Sequence, residues 1–217
     1  YKNIDLKKAV LSSQSKIYVT EFIKLQIKIK PDLIEVHNRP NYLELLDKNL
    51  KSKFVLFFHN DPLNMGGSKS VEERIKLITL CSKIIFNSEW TKSRFLHKLD
   101  KFIHASGKLE VIQQSATKKK IDISKKKNII TFVGKLNSAK GYDLFGKAII
   151  KILNKHKNWK AFVIGDELRE KIIFNHKNLK IMGFLKHKDV LKTFNKTSIA
   201  VACSRWEEPF GRTSLEA

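Results

Sequence analysis

Apolar residues along the chain fall into short blocks, and polar stretches with helical spacing separate them. Asp32-Leu33-Ile34-Glu35-Val36-His37, Phe54-Val55-Leu56-Phe57-Phe58-His59, Lys83-Ile84-Ile85-Phe86-Asn87 and Leu109-Glu110-Val111-Ile112 each read as a short buried strand. Residues 1–30 mix Phe22, Ile23, Leu25, Ile27 and Ile29 with lysines and read as helical until Pro31. Short helices are expected from Tyr42 to Lys48 and from about Ser70 to Cys81, and Ser88 is placed to cap another. Residues 60–68, rich in Gly, Asn and Pro, read as a long loop. After a polar, lysine-rich stretch from Gln113 to Asn128 the pattern restarts. Strands are expected over Ile129 to Val133, Ala161 to Gly165, Leu179 to Met182 and Ile199 to Cys203, the last within an apolar run (Ser198 to Cys203) that reads as fully buried. Helices are expected over Lys140 to His156, Glu167 to Asn175 and His187 to Asn195.

Strands alternating with helices imply an α/β fold with parallel sheets and right-handed crossovers. The lysine-rich stretch divides it, giving domains at 1–115 and 129–217 with a linker at 116–128. Ligands of such sheets bind beyond the carboxyl ends of the strands. The residues standing there are polar or ionisable: His37-Asn38-Arg39, His59-Asn60-Asp61, Asn87-Ser88-Glu89, Gly134-Lys135, Gly165-Asp166-Glu167, Gly183-Phe184 and Ser204-Arg205.

The last of these ends leads into Trp206-Glu207-Glu208-Pro209-Phe210-Gly211-Arg212-Thr213-Ser214-Leu215-Glu216. Pro209 holds Glu208 extended. Gly211 permits a tight turn and a close backbone approach. A helix start follows, whose N–H groups and dipole favour an anion. Glu208 and Glu216 bracket that position, and carboxylates accept hydrogen bonds from sugar hydroxyls. An anion site and sugar acceptors together suggest a nucleotide-sugar. A purely local reading of Glu216 is also open, as the distal member of a capping box begun by Thr213.

Composition narrows the partners. The net charge of +22 invites nucleic acid or anionic membrane. Yet only six of the 43 basic residues are arginine, and the lysines are scattered, which favours a solvated surface first, anionic lipid second and nucleic acid last. The dense runs Lys118-Lys119-Lys120 and Lys125-Lys126-Lys127 read as linker. No apolar run approaches the roughly 18 residues that span a bilayer, and Tyr1 to Val10 lack the apolar core of a secretion signal. Cys81 and Cys203 are far apart and read as free, buried thiols. No Asp-x-Asp, no Gly-x-Gly-x-x-Gly, no phosphate-binding loop of the P-loop type and no local Ser-His-Asp or Cys-His signature occurs.

Several of these stretches carry a family resemblance. Glu208-Pro209-Phe210-Gly211, with Glu216 beyond it, resembles the Glu-x7-Glu signature of retaining GT-B glycosyltransferases, group 1 (family 4). Gly134-Lys135-Leu136 with Lys140-Gly141 resembles the first motif of that family's donor domain. Val163-Ile164-Gly165-Asp166 and Met182-Gly183-Phe184-Leu185 resemble its next two strand ends. Pro31 to His37, Phe57-Phe58-His59 and Ser82 to Ser88 resemble strands of its acceptor domain. The chain departs from the pattern at Lys135, where Arg is commoner, at Glu167, where a second Gly is usual, and at Gln113-Gln114-Ser115, where an Asn-Gly pair is usual.

The resemblance implies an α/β fold of GT-B type: two Rossmann-like domains with parallel sheets, both incomplete in this stretch of sequence. Unpaired sheet edges would then favour self-association. It implies transfer of a sugar, with retention, from a nucleotide-diphosphate-sugar (UDP-sugar favoured over GDP-sugar) to a hydroxyl of a cell-envelope saccharide or lipid-linked acceptor. Neither metal nor cofactor is expected beyond the donor, which is a substrate, and nucleic acid is not an expected partner. The expected place is cytoplasmic, with peripheral contact at the inner, anionic face of the membrane. His59 and Glu208 are the implied catalytic residues. Gly134, Lys135, Lys140, Gly183, Phe184, Phe210, Gly211, Arg212 and Glu216 are the implied donor contacts, with Lys135 and Lys140 on the diphosphate. Two other functions fit less of the sequence: a sugar-nucleotide epimerase of similar fold, and a basic module that binds nucleic acid or membrane.

Overall fold

A computed structural model describes residues 14–104, 106–117 and 122–217. The first 13 residues of the expected N-terminal helix and the run Lys118-Lys119-Lys120 lie outside the described residues. The chain forms two compact units, residues 1–113 and 114–217.

In the first unit, helix α1 (Gln14–Ile29) precedes β1 (Leu33–His37), α2 (Leu43–Asn49), β2 (Lys53–Phe58), α3 (Val71–Leu80), β3 (Lys83–Phe86), α4 (Glu89–Leu96), α5 (Lys101–His104) and β4 (Leu109–Val111). The four strands form one parallel sheet in the order β1-β2-β3-β4. Phe54, Leu56 and Phe58 of β2 point alternately into the core and are buried. Phe58, Phe86 and Phe95 pack with ring centroids 5.2–5.8 Å apart, which fixes α4 to the sheet. Local chemistry sets the helix starts. Ser70 and Glu73 form a reciprocal capping box on α3, and Ser88 accepts from the Thr91 N–H at 3.1 Å, the cap expected from sequence. The loop after β2 is more ordered than its composition suggests. Asp61 accepts from Leu63 N and Asn64 Nδ2 and holds Arg94 through two hydrogen bonds of 3.1 and 2.9 Å, so a 3-10 turn forms over Pro62–Asn64.

The second unit holds β5 (Lys127–Val133), α6 (Tyr142–Lys155), β6 (Lys160–Ile164), β7 (Leu179–Ile181), α7 (His187–Phe194), β8 (Thr197–Val201) and α8 (Arg212–Glu216), with a parallel sheet in the order β7-β6-β5-β8. Tyr142, Phe145, Gly146, Ile149 and Leu153 form the buried stripe of α6 against β5 and β6.

Four expectations are corrected. Ser198 to Cys203 is not a fully buried strand: β8 lies at the sheet edge, with Ile199 46% exposed, because only β5 pairs with it among the described residues. Lys125-Lys126-Lys127 is not linker. Lys127 opens β5, donating its N–H to Lys196 O at 2.9 Å, and the Lys126 ammonium donates to Phe194 O. No helix forms over Glu167 to Asn175. That segment crosses α6 irregularly, held by Glu167 to Asn137 and by Glu170 to the Ser138 N–H and hydroxyl. Ile172 and Phe174 pack into the core from it. The structural reason is Gly146: a Cβ there would stand 1.9 Å from the Phe174 ring, so a glycine in mid-helix makes the seat for that ring. Thr213 does not cap α8 either, because Gly211 holds that position at φ +74°.

The Phe174 seat is testable. Gly146→Ala, which alone would favour the helix, is expected to destabilise the second unit by about 1–3 kcal/mol in urea unfolding through overpacking. Adding Phe174→Leu is expected to restore part of the loss.

Candidate functional site

At the carboxyl ends of β5 and β8 a cavity of about 260 Å³ opens within the second unit. Gly134, Lys140, Ser204, Trp206, Glu208 and Gly211 are among the residues that line it. Backbone contact brings these segments together. Gly141 has φ +73°, and a Cβ on it would lie 1.9 Å from the Cys203 carbonyl oxygen. The Cys203 thiol donates to Gly141 O at 3.2 Å, and the Arg205 N–H donates to Ala139 O at 2.9 Å. The Arg205 guanidinium clamps Asp143 through bonds of 2.5 and 2.6 Å and donates to Ser138 O. That guanidinium holds the Asp143 carboxyl at about 2.

The β5–α6 loop therefore lies against the segment that follows β8, and Lys140 meets Glu208. The ammonium donates to Glu208 Oε1 at 2.7 Å and lies 5.2 Å from the Trp206 ring centroid. The Ser204 hydroxyl donates to the same carboxylate oxygen. Burial works to raise the Glu208 carboxyl, but the bonds from Lys140 and Ser204 outweigh it and hold the group below its ordinary value. The two side chains are 27% and 29% exposed, so solvent screens this pair less than a surface pair. The cavity thus offers one cation, one carboxylate, a tryptophan face, glycine backbone, and the lining residues Ser204, Thr213 and Ser214. That set suits a ligand carrying both anionic oxygens and hydroxyls.

Of the residues expected in one site, Gly134, Lys140, Glu208 and Gly211 converge here. Lys135 is exposed and does not line the cavity. Phe210 is half-buried beside it without lining it. Gly183 accepts the Gly165 N–H at 2.9 Å, and Phe184 beyond it is 77% exposed. Gly165 is itself pressed to Gly134, since a Cβ would fall 1.9 Å from Gly134 O. The ends of β5, β6 and β7 are thereby stitched through glycines. The second glycine missing at Glu167 is replaced by a carboxylate that Arg169 holds at about 2. Arg212 and Glu216 pair with each other at 2.8 Å, and His187 Nε2 lies 3.1 Å from Glu216. All three line a different cavity, of about 530 Å³, with Lys126, Leu191 and Phe194. Glu216 is neither a capping-box member nor a neighbour of Glu208 in the smaller cavity. Lys140 is the cation that lines the cavity.

Sequence reasoning left Ser204, Trp206, Asp143 and Arg205 without roles. The first two stood within six residues of Glu208, which was signal enough. Nothing local announced the Asp143–Arg205 clamp.

His59 follows β2 in the first unit. Its N–H donates to Asn38 Oδ1 at 2.8 Å, its carbonyl accepts from Asn87 Nδ2 at 3.0 Å, and its Nε2 meets His37 Nδ1 at 2.9 Å. Burial, and secondarily the neighbouring His37, push its pKa down. Cys81 is buried, and burial pushes its thiol up to about 12; Cys203 is half-buried with its thiol on Gly141. Among the described residues no cluster of three or more His, Cys, Asp or Glu could hold a metal, and no helix is long and apolar enough to cross a membrane.

Residues 113–217 match the family of glycosyl transferases, group 1. The chain is 25% identical over 215 residues to YtcC of Bacillus subtilis (strain 168), a provisionally named glycosyltransferase, covering 86% of this chain and 53% of YtcC. It is 22% identical over 219 residues to spore coat protein SA of the same organism, covering 88% of this chain and 58% of that protein. The chain therefore spans between half and three-fifths of these relatives. Among solved structures it resembles HepE of Anabaena in complex with UDP-glucose (TM-score 0.66, 16% identity, 92% of this chain and 60% of that one). It also resembles TarM of S. aureus (TM-score 0.67, 12% identity, 92% and 42%). These likenesses bear out the GT-B fold.

Because the Glu208 carboxyl lies below its ordinary pKa, its pairing contributes stability above the ordinary carboxylate range, and that contribution is lost as pH falls through the depressed value. Glu208→Gln is expected to cost roughly 1–2 kcal/mol at pH 7 in urea unfolding, with the difference from wild type shrinking steadily as the measurement moves into acid.

Proposed function

Because residues 113–217 match the family of glycosyl transferases, group 1, we propose that the whole protein moves a sugar from a nucleotide-diphosphate-sugar to a hydroxyl acceptor. The observation that carries this reading is the Lys140–Glu208 pair, set in a cavity with hydroxyl and glycine-backbone neighbours at the carboxyl ends of parallel strands. A UDP-sugar is the favoured donor; HepE, whose fold this chain shares, was solved with UDP-glucose. Transfer proceeds with retention and without metal or other cofactor in this proposal. The acceptor is a cell-envelope saccharide or lipid-linked hydroxyl, and the protein works in the cytoplasm at the anionic membrane face.

The chemistry follows from the cavity. In the absence of donor, Glu208, itself bonded by the Ser204 hydroxyl, holds Lys140 in place. A diphosphate brings a more concentrated negative charge than one carboxylate, so the ammonium turns to it and stabilises the charge that grows on the leaving oxygen as the glycosidic bond breaks. Glu208, released from full pairing, accepts hydrogen bonds from sugar hydroxyls. Gly134 and Gly211 leave room for ligand against backbone. Phe184 offers an exposed ring to the nucleoside, and Lys135, Phe210, Arg212 and Glu216 are retained as outer donor contacts, with Glu216 on the ribose. In the first unit, His59 contacts substrate through its imidazole.

Calorimetric titration with UDP-glucose tests this. The wild type is expected to bind, and Lys140→Ala to bind about 10- to 100-fold more weakly, as loss of one charge-assisted contact requires. Lys135→Ala is expected to weaken binding less, because that side chain is exposed. Absence of wild-type binding to UDP- and GDP-sugars alike, or equal affinity in Lys140→Ala, would refute the assignment.

A further inference from the structure

One wall of the cavity at the ends of β5 and β8 is the Trp206 indole. The Lys140 ammonium stands over that ring, 5.2 Å from its centroid, while it donates to Glu208 Oε1 at 2.7 Å. Among the described residues, Lys140 and Glu208 are the charged side chains that line the cavity. Both partners of the ring contact are carried by fixed backbone. The Arg205 N–H donates to Ala139 O at 2.9 Å, so Trp206 and Lys140, the residues that follow, leave one backbone bond side by side. The Lys140 N–H donates to Asn137 Oδ1 at 3.0 Å, and Asn137 Nδ2 donates to Glu167 Oε2 at 3.1 Å. Arg169 holds Glu167 in turn. On the other side of the junction the Arg205 guanidinium is locked on Asp143 and Ser138 O.

We propose that Trp206 is a positioning residue for Lys140: its indole face holds the ammonium in the cavity, and goes on holding it when the bond to Glu208 gives way to an incoming diphosphate. This rests on the reading of the cavity as the place of a nucleotide diphosphate. An ammonium has three N–H donors, and Glu208 Oε1 takes one of them. The negative face of an aromatic ring attracts the charge as a whole, and tryptophan does so most strongly. That attraction does not depend on which N–H points where. The ammonium can therefore turn its donors from carboxylate to phosphate without leaving the ring. Lysine carries its charge on a flexible four-carbon stem. A face on one side removes part of that freedom before the anion arrives, which lowers the ordering cost of binding.

The surroundings favour this role. Trp206 is 43% exposed, whereas the Lys140 side chain is 27% exposed. The ammonium is the more enclosed partner, and a cation over a ring is held more tightly as the cation loses water. Glu208 is the group that hydroxyls of a ligand would claim, and the ring stays beside the ammonium when they do. The same indole could instead pack against the hexose of a donor. That use would act only with the hexose present, and it would be indifferent to Lys140.

Calorimetry with UDP, which carries the diphosphate without the hexose, tests it on the whole chain, with GDP in its place if only GDP binds. Mono-, di- and trifluorinated tryptophan are incorporated in turn, which weakens the negative ring face and leaves its shape nearly unchanged. UDP affinity is expected to fall stepwise with each fluorine. Trp206→Leu is expected to bind UDP roughly 3- to 10-fold more weakly than wild type, the size of a cation–π contact in a partly closed site, and Trp206→Phe to fall between. The dependence on fluorine is expected to vanish in Trp206→Leu and in Lys140→Ala, so either variant serves as the control for Trp90 and Trp159 if the other fails to fold. The proposal is overturned if UDP affinity ignores fluorination in the wild-type sequence, or if the decline persists in Lys140→Ala. A loss seen with UDP-glucose and not with UDP would assign the ring to the hexose and overturn it as well. If neither UDP nor GDP binds the wild type, the donor reading falls and this proposal with it. Indifference to fluorine in a chain that binds UDP strikes this proposal alone.

Discussion

Gly141 is the constraint on which the site depends. Its left-handed backbone and missing side chain let the β5–α6 loop lie against the Cys203 carbonyl, at a distance that any Cβ would forbid. Lys140 precedes that glycine and Glu208 follows that cysteine by five residues, so the contact sets the two charges within hydrogen-bond reach. The Arg205–Asp143 clamp closes the same junction from outside. Gly165 against Gly134 repeats the device one strand over. Glycine here supplies close approach of two backbones, and the functional side chains are carried by their neighbours.

Once placed, Lys140 and Glu208 hold each other in a tuned state. A lysine ammonium without a partner in a partly closed cavity would pay a desolvation cost, and the carboxylate meets that need until an anion arrives. The carboxylate in turn is kept ionised by the same bond and by Ser204. The pair can therefore hand its lysine to a phosphate and its carboxylate to hydroxyls without creating an uncompensated charge.

The strands were legible because parallel strands are short apolar runs, and β1 to β8 each overlap the run that marked them. The helices were legible where a stripe or cap existed, as in α6, α3 and α4. The segment over 167–175 misled because its spaced apolar residues mimic a helix; Ile172 and Phe174 instead pack across α6, and the seat for Phe174 is a glycine 28 residues earlier. The edge position of β8 could not be read from composition, since an alanine- and valine-rich run looks the same at an edge as in the centre. In the site, Lys140 and Glu208 were found because their neighbouring glycines and proline are local signals. The pairing of Glu216 with Arg212 and His187 was not legible, because sequence spacing says nothing of how that side chain turns. His37 went unassigned because its partner lies 22 residues away.

The account stands on Lys140 exchanging Glu208 for a diphosphate. Carbon-13 NMR of the Glu208 side-chain carboxyl, titrated with pH in the absence and the presence of saturating UDP, reads that exchange directly. The account predicts that UDP raises the Glu208 midpoint, because the ammonium that depresses it is drawn to phosphate and a new negative charge stands nearby. A midpoint unchanged by bound UDP would contradict it.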